Sequence, residues 1–319
     1  MIARIDTRFN EELFFRVSKS DVEPFSMNLM AAEIILNSNV RSSKRDILSL
    51  VFQVYVLGTM RGWAKAMHQG NAYIIVPTGL GKPSIKLGQQ VIPFGLLAWY
   101  DTHGKVFQNP YSLAIGERID AGITVQGILG PVDWWYMISN GNGPNVKDPD
   151  DNKVQTARFA LDHSIGLIDM RVGFSILRGV LPEFTQDPLA IMMVEPDSLI
   201  MKNRVCIDGE FTYTYFNIIY EVIYGIQGSL VSMFNNMEQG AIGGYIEVHV
   251  PLSYSIELKG MYSRWQPRID QPLSHNVWGA GVRIVPETFS MMTLQVMGLI
   301  RDEPMRKSKG VIAQVNVSL

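Results

Sequence analysis

RIDAGITVQGILGPVDWWYMISNGNG, residues 118–143, carries the pattern that decides the fold. Ile119, Ala121, Ile123, Val125, Gly127 and Leu129 share one parity, and Asp120, Gly122, Thr124, Gln126 and Ile128 share the other. Past Gly130 and Pro131 the alternation resumes, with Val132, Trp134, Tyr136 and Ile138 opposing Asp133, Trp135, Met137 and Ser139. Successive side chains of a strand point to opposite faces, so a period of two predicts two strands joined by a tight turn. Residues 140–153 are polar and rich in glycine, aspartate and asparagine, the composition of a long loop.

That asymmetry repeats downstream. Short turns are expected at 164–166, 213–215, 251–253 and 286–288, and long polar connections at 140–153, 178–202, 225–241, 264–274 and 301–309. Short turns at one end and long loops at the other are how an outer-membrane barrel is built, with the short turns periplasmic and the loops extracellular. The faces agree. Ile168, Met170, Val172, Phe174 and Ile176 oppose Asp169, Arg171, Gly173 and Ser175; Tyr254, Ile256, Leu258 and Tyr262 oppose Ser255, Glu257, Lys259 and Ser263. Tyr213, Trp134, Tyr254, Tyr262 and Trp278 fall where interfacial girdles would lie. A soluble sandwich alternates too, with the greasy face as its core. Strands of about 10–13 residues are longer than soluble strands and suit a tilted bilayer crossing.

Upstream, strands are expected at 13–19, 25–37, 46–58, 72–76 and 83–95, with a helix competing over 25–37 because Ile34-Ile35-Leu36 is a continuous apolar run. The whole chain, 1–319, then reads as one all-β transmembrane antiparallel barrel of about sixteen strands, least certain over 1–82.

Composition fits that reading. Of 319 residues 47% are hydrophobic and 18% charged, and the formal net charge is −2. No basic footprint for nucleic acid is present. The single Cys206 excludes an internal disulfide or a multi-cysteine metal site. No apolar run approaches the ~18 residues of a spanning helix, which a closed barrel does not need. Arg4, Asp6, Arg8, Glu11 and Glu12 are unlike a signal peptide, so a mature chain or a missing upstream segment is expected.

Several segments resemble the bacterial outer-membrane porins of the phosphate-selective O and P type: Lys86-Leu87-Gly88-Gln89-Gln90-Val91-Ile92-Pro93-Phe94-Gly95; Arg118-Ile119-Asp120-Ala121-Gly122 with Asn140-Gly141-Asn142-Gly143; Gly243-Gly244-Tyr245-Ile246-Glu247; Met261-Tyr262-Ser263-Arg264-Trp265; and Leu299-Ile300-Arg301-Asp302. The resemblance covers roughly residues 83–319, and the chain departs from it in ending on Leu319 rather than an aromatic. It implies an outer-membrane channel for small hydrophilic solutes or inorganic anions, an anion preference, a homotrimer in outer-membrane lipid, and neither cofactor nor enzymatic activity.

In such a channel function lies in the charges facing the pore. Parity places Lys86, Arg158, Arg171, Lys259, Arg283 and Arg301 on the inner face together with Asp120, Asp133, Asp169, Asp208, Glu210, Glu221, Glu247 and Glu257. These either bias passing ions or pair across strands and solvate the wall. The 96–117 connection is either a constriction loop, with Lys105 and Arg118 narrowing and charging the passage, or an ordinary extracellular loop. Trp135, Ile219 and Ile223 are apolar on the inner parity, which predicts a narrow or partly plugged lumen.

Other motifs fall away. Gly79-Leu80-Gly81-Lys82-Pro83-Ser84 lacks phosphate-loop spacing, because Val76 stands where a glycine should and Pro83 follows the lysine. Asp148, Asp150 and Asp151 suit a solvated loop better than a calcium site. The five histidines lack zinc-ligand spacing, and Asp162-His163-Ser164 alternate across a strand, so they form no triad. Two other classes stay open: a structural or adhesive outer-membrane barrel with a closed lumen, and a soluble all-β carbohydrate-binding protein.

Overall fold

Period-two alternation over most of the chain leaves each strand one greasy and one polar face, and closing the sheet on itself satisfies every edge. The computed structural model describes residues 4–20, 26–42, 45–56, 67–77, 83–96, 114–115, 119–143, 151–183, 198–229, 239–269, 274–286, 292–303 and 306–318. The strands are β1 (Arg4–Ser20), β2 (Ser26–Ser42), β3 (Arg45–Val56), β4 (Met67–Pro77), β5 (Ser84–Val91), β6 (Ile119–Leu129), β7 (Val132–Ser139), β8 (Val154–Ile165), β9 (Ile168–Glu183), β10 (Ser198–Tyr213), β11 (Phe216–Ser229), β12 (Gln239–Pro251), β13 (Ile256–Gln266), β14 (His275–Ile284), β15 (Met292–Glu303) and β16 (Arg306–Ser318). All sixteen pair antiparallel in chain order, and β1 pairs with β16 to close the barrel, Phe15 opposite Val315.

The two faces are inverted relative to a soluble sandwich. Ile123, Phe159, Ile176, Ile207, Val222 and Val311 point outward and are exposed, whereas Thr124, Thr156, Ser175, Asp208, Glu221 and Gln314 point inward and are buried. On β8 the outward residues run from Ile165 beside the turn to Gln155 ten positions away. At about 3.3 Å per residue and a tilt near 40° that is roughly 25 Å of height, the apolar belt of a membrane barrel. Tyr213, Tyr215 and Phe216 cluster with ring centroids 5.5–5.6 Å apart at the β10–β11 turn, and Tyr262 packs on Trp278 at 5.5 Å.

Several boundaries move. Residues 26–37 are strand, not helix. The register slips opposite Phe14/Phe15, at Val40/Arg41 and at Phe52/Val54, where a bulge breaks the parity, whereas Ile34-Ile35-Leu36 lies in unbroken register. The expected connection 301–309 is instead mostly wall. Glu303 pairs with Arg306, and outward Asp302 and Lys307 form an ion pair at 3.5 Å. Charge density there reflects a strand end that rises above the belt. Likewise β9 runs on to Glu183 and β10 starts at Ser198, shortening the 178–202 connection.

Candidate functional site

The lumen is shaped by what happens after β5. Residues 83–95 read as one strand, but the wall ends at Val91 and the chain turns inward. Ile92 and Phe94 are fully buried, and the Phe94 amide donates to the Ile92 carbonyl at 2.8 Å. The Gly95 amide then donates to Ser175 Oγ on β9 at 3.1 Å, and the Leu96 amide to Glu221 Oε2 on β11 at 3.0 Å. Gly95 has φ +69°, and a Cβ there would fall on the Glu221 carboxylate, 2.7 Å from its Cδ, so no side chain fits. Farther along, Arg204 Nε of β10 donates to the Ala114 carbonyl at 3.1 Å. Both described ends of the 96–117 connection therefore lie inside the barrel.

Apolar side chains complete the seal. Ile92, Phe94, Ala114 and Ile115 pack with Met137, Leu177, Leu181, Cys206, Ile223 and Trp265. Leu96 packs with Ile219, Tyr245, Met261, Met297 and Leu299. The inward isoleucines Ile219 and Ile223 thus have partners within the lumen.

Beside this plug, Arg158 of β8 grips Asp208 of β10 through two contacts, Nη2 to Oδ1 at 2.6 Å and Nη1 to Oδ2. Arg158 Nη1 also donates to Ser175 Oγ at 3.1 Å, and both charged side chains are 0% exposed. The strand between them carries Gly173, where a Cβ would meet Arg158 Nη2 and Asp208 Oδ1. Only glycine leaves room for the pair. One turn of the ladder higher, Arg204 donates through Nη1 to the Ile226 carbonyl at 3.1 Å and through Nη2 to Gln227 Oε1, while its guanidinium lies 5.7 Å from the Trp265 ring centroid.

The short-turn end is different. On β12–β14, His249 Nε2 lies 2.5 Å from Glu247 Oε1 and Nδ1 3.1 Å from Glu257 Oε1. Lys259 Nζ is 3.9 Å from Glu247 and 3.8 Å from Glu257, and Arg283 Nη1 is 3.5 Å from Glu257. Each ring nitrogen of His249 thus faces a carboxylate oxygen. Across the mouth, Arg171 lies 3.7 Å from Asp133 and 3.4 Å from Asp162, Asp169 accepts from Ser164 Oγ at 2.6 Å, and Glu210 from Asn217 at 2.8 Å.

Of the remaining inward charges, Asp120 is fully buried and accepts from the amides of Ala121, at 2.9 Å, and Gly141. It ties down the loop that follows β7. Lys86 is buried on β5, and Arg301 is half-buried on β15. Lys105 and Arg118 lie outside the described residues. Trp135 is half-buried, in register with Arg158. Sequence reading missed Ser175, Arg204 and His249 as site residues. Arg204 follows closely on the expected 178–202 connection, and its parity with Asp208 is the signal that places it inside. His249 was weighed only as a zinc ligand, although it shares the parity of Glu247. Among the described residues no group of three acidic, histidine or cysteine side chains is placed to hold a metal ion.

This geometry, a closed sixteen-strand antiparallel barrel, has counterparts among solved structures. An anion-selective porin from Comamonas acidovorans superposes with a TM-score of 0.72 at 8% identity, covering 99% of this chain and 100% of that one. The fold is that of the outer-membrane porins. In-vitro folded OmpT, an outer membrane protein of Vibrio cholerae in trimer form, gives 0.71 at 10% identity with 99% of both chains covered. The outer membrane channel DcaP of Acinetobacter baumannii gives 0.67 at 10% identity, over 99% and 97%. No family model and no curated protein matches the sequence.

Proposed function

We propose that this chain is an outer-membrane diffusion channel that carries small hydrophilic solutes or ions and performs no chemistry on them. The carrying observation is the inverted barrel: an apolar belt exposed outside, charges inside, and the described ends of the β5–β6 connection held inside by Ser175, Glu221 and Arg204. Such a segment narrows a passage without closing the wall. An anion preference, extending to phosphate, is the finer reading, supported by inward Lys86, Lys202 and Arg204 on the loop side of the lumen. A homotrimer is part of the same proposal, supported by the trimer form of the structurally similar OmpT.

The complete burial of Arg158, Asp208 and the Phe94 cluster favours a second reading, a barrel whose lumen is closed. Planar-bilayer recording separates the two. The channel reading expects discrete conductance steps and a reversal potential of anionic sign in a potassium chloride gradient. Folded, heat-modifiable protein that inserts without conducting leaves the closed barrel standing. Added phosphate that reduces chloride current at concentrations where sulfate does not would support the phosphate reading.

A further inference from the structure

The chain holds two Asn-Gly steps and they are consecutive, Asn140-Gly141 and Asn142-Gly143, in the bend that follows β7. Asn-Gly is the step at which a chain most readily modifies itself. The glycine nitrogen loses its proton and attacks Cγ of the asparagine side chain; a C–N bond forms, ammonia leaves and a succinimide remains. Water then opens the ring to aspartate or isoaspartate, so the net reaction consumes one water and releases one ammonia. Glycine favours the attack because no side chain crowds the nitrogen and its backbone turns freely.

Here one carboxylate holds both nitrogens. Asp120 is 0% exposed and accepts from the amides of Gly141 and, at 2.9 Å, Ala121. The Gly143 amide bonds to the same carboxylate. With φ +89° at Gly141 and +85° at Gly143 the backbone curls round it, a concave run of N–H groups that suits an anion. The Asn140 amide donates to the Ala121 carbonyl at 3.1 Å. Gly141 is also wedged from the far side: a Cβ there would lie 2.5 Å from the Val180 carbonyl oxygen and 2.8 Å from Val154 Cγ2.

We propose that Asn140 and Asn142 are latent deamidation sites and that the Asp120 carboxylate keeps them latent. Three effects act together. A deprotonated glycine nitrogen beside Asp120 would set two negative charges a hydrogen bond apart where water does not screen them. A peptide plane pinned by its N–H cannot swing its nitrogen onto the asparagine Cγ. Gly141 and Gly143 are buried, so hydroxide and water reach them only when the bend opens. The two sites are also coupled. Once one asparagine has become an aspartate, its carboxylate stands beside Asp120, like charges repel, and the curl that guards the other step loosens. A single event thus converts a tied bend into an open one, irreversibly.

The test is peptide mapping by mass spectrometry of the full-length chain after incubation at mildly alkaline pH, folded in detergent and, in parallel, unfolded in urea. The peptide carrying residues 140–143 should gain the mass of aspartate for asparagine, at both sites, in the unfolded chain and stay unmodified in the folded barrel. Asp120→Ala should speed the reaction in the folded barrel at least about tenfold, since a hydrogen bond to a charged group is worth a decade or more in an equilibrium constant. Asp120→Asn keeps the shape and one acceptor oxygen without the charge; it should fall between the two and gives the answer where the alanine variant does not fold. Asp133→Ala, an acid at the other end of β7, should leave the rate unchanged. Folded wild type that deamidates as fast as the unfolded chain, or folded Asp120 variants that keep both asparagines, overturn the proposal. So does a slower reaction in the variants, which would make Asp120 a base that promotes the step.

Discussion

Two stretches of the inner wall use the same residue types to different ends. On β8–β10, Arg158 and Asp208 are 0% exposed and share one fixed two-contact geometry. At the short-turn mouth of β12–β14, Lys259 is 10%, Glu257 21% and Arg283 41% exposed, with ion-pair distances of 3.5–3.9 Å and shared partners. The first pair is shut away from water, so each charge depends on the other; the second group spreads its charges over several shared partners and opens to water at Arg283. A charge on the inner parity of a barrel is therefore not by itself a pore charge. What packs over it decides.

The largest effect should come from breaking the shut pair. Asp208→Ala leaves the Arg158 guanidinium buried without its counter-ion and is expected to cost about 3–5 kcal/mol. Glu257→Gln at the mouth should cost less than about 1 kcal/mol, because water and neighbours replace what is lost. Urea titration of the barrel reconstituted in lipid reads both. Similar losses would erase the distinction between the two walls.

Next come the ties of the inserted segment. Glu221→Gln weakens the acceptor for the Leu96 amide, and a hydrogen bond to a charged group is worth about 1.5–3 kcal/mol. The wall itself keeps its backbone ladder, so the expected readout is larger or noisier single-channel conductance rather than unfolding. Gly95→Ala should do the same more strongly for its size, since the new methyl meets the carboxylate and the residue must hold φ +69°. Unchanged conductance in both variants would mean the segment does not bound the passage.

How much of this was legible beforehand follows from what alternation can and cannot encode. Parity alone separates Ile123 from Thr124 and Ile207 from Asp208, so the barrel, its sixteen strands and its inner face were within reach. It fails where a bulge shifts phase, as around Met30, and where charge imitates a loop, as from Arg301 to Lys309. It also cannot see packing between non-neighbouring strands. Val91-Ile92-Pro93-Phe94-Gly95-Leu96 has the composition of wall, yet Phe94 ends in a cluster with Ile223 and Leu96 in one with Ile219. The signal was present in those two inward isoleucines, which a water-filled lumen would not favour. They point to a partner without naming it.

The smallest change sharpens the comparison from the wet side. Around His249 stand two carboxylates, Glu247 and Glu257, and two fixed cations, Lys259 and Arg283. A protonated His249 makes the group three cations against two anions, a net charge of +1; a neutral one makes it zero. The imidazolium is the form in which both ring nitrogens can donate to their carboxylates. Anion preference should therefore be greater at about pH 5 than at about pH 8, the interval a histidine spans. His249→Gln should flatten that dependence, and Lys259→Glu should move the reversal potential toward cations at every pH. If neither variant alters the reversal potential, the charges around His249 do not bias the passing ions, and selectivity is set elsewhere in the lumen.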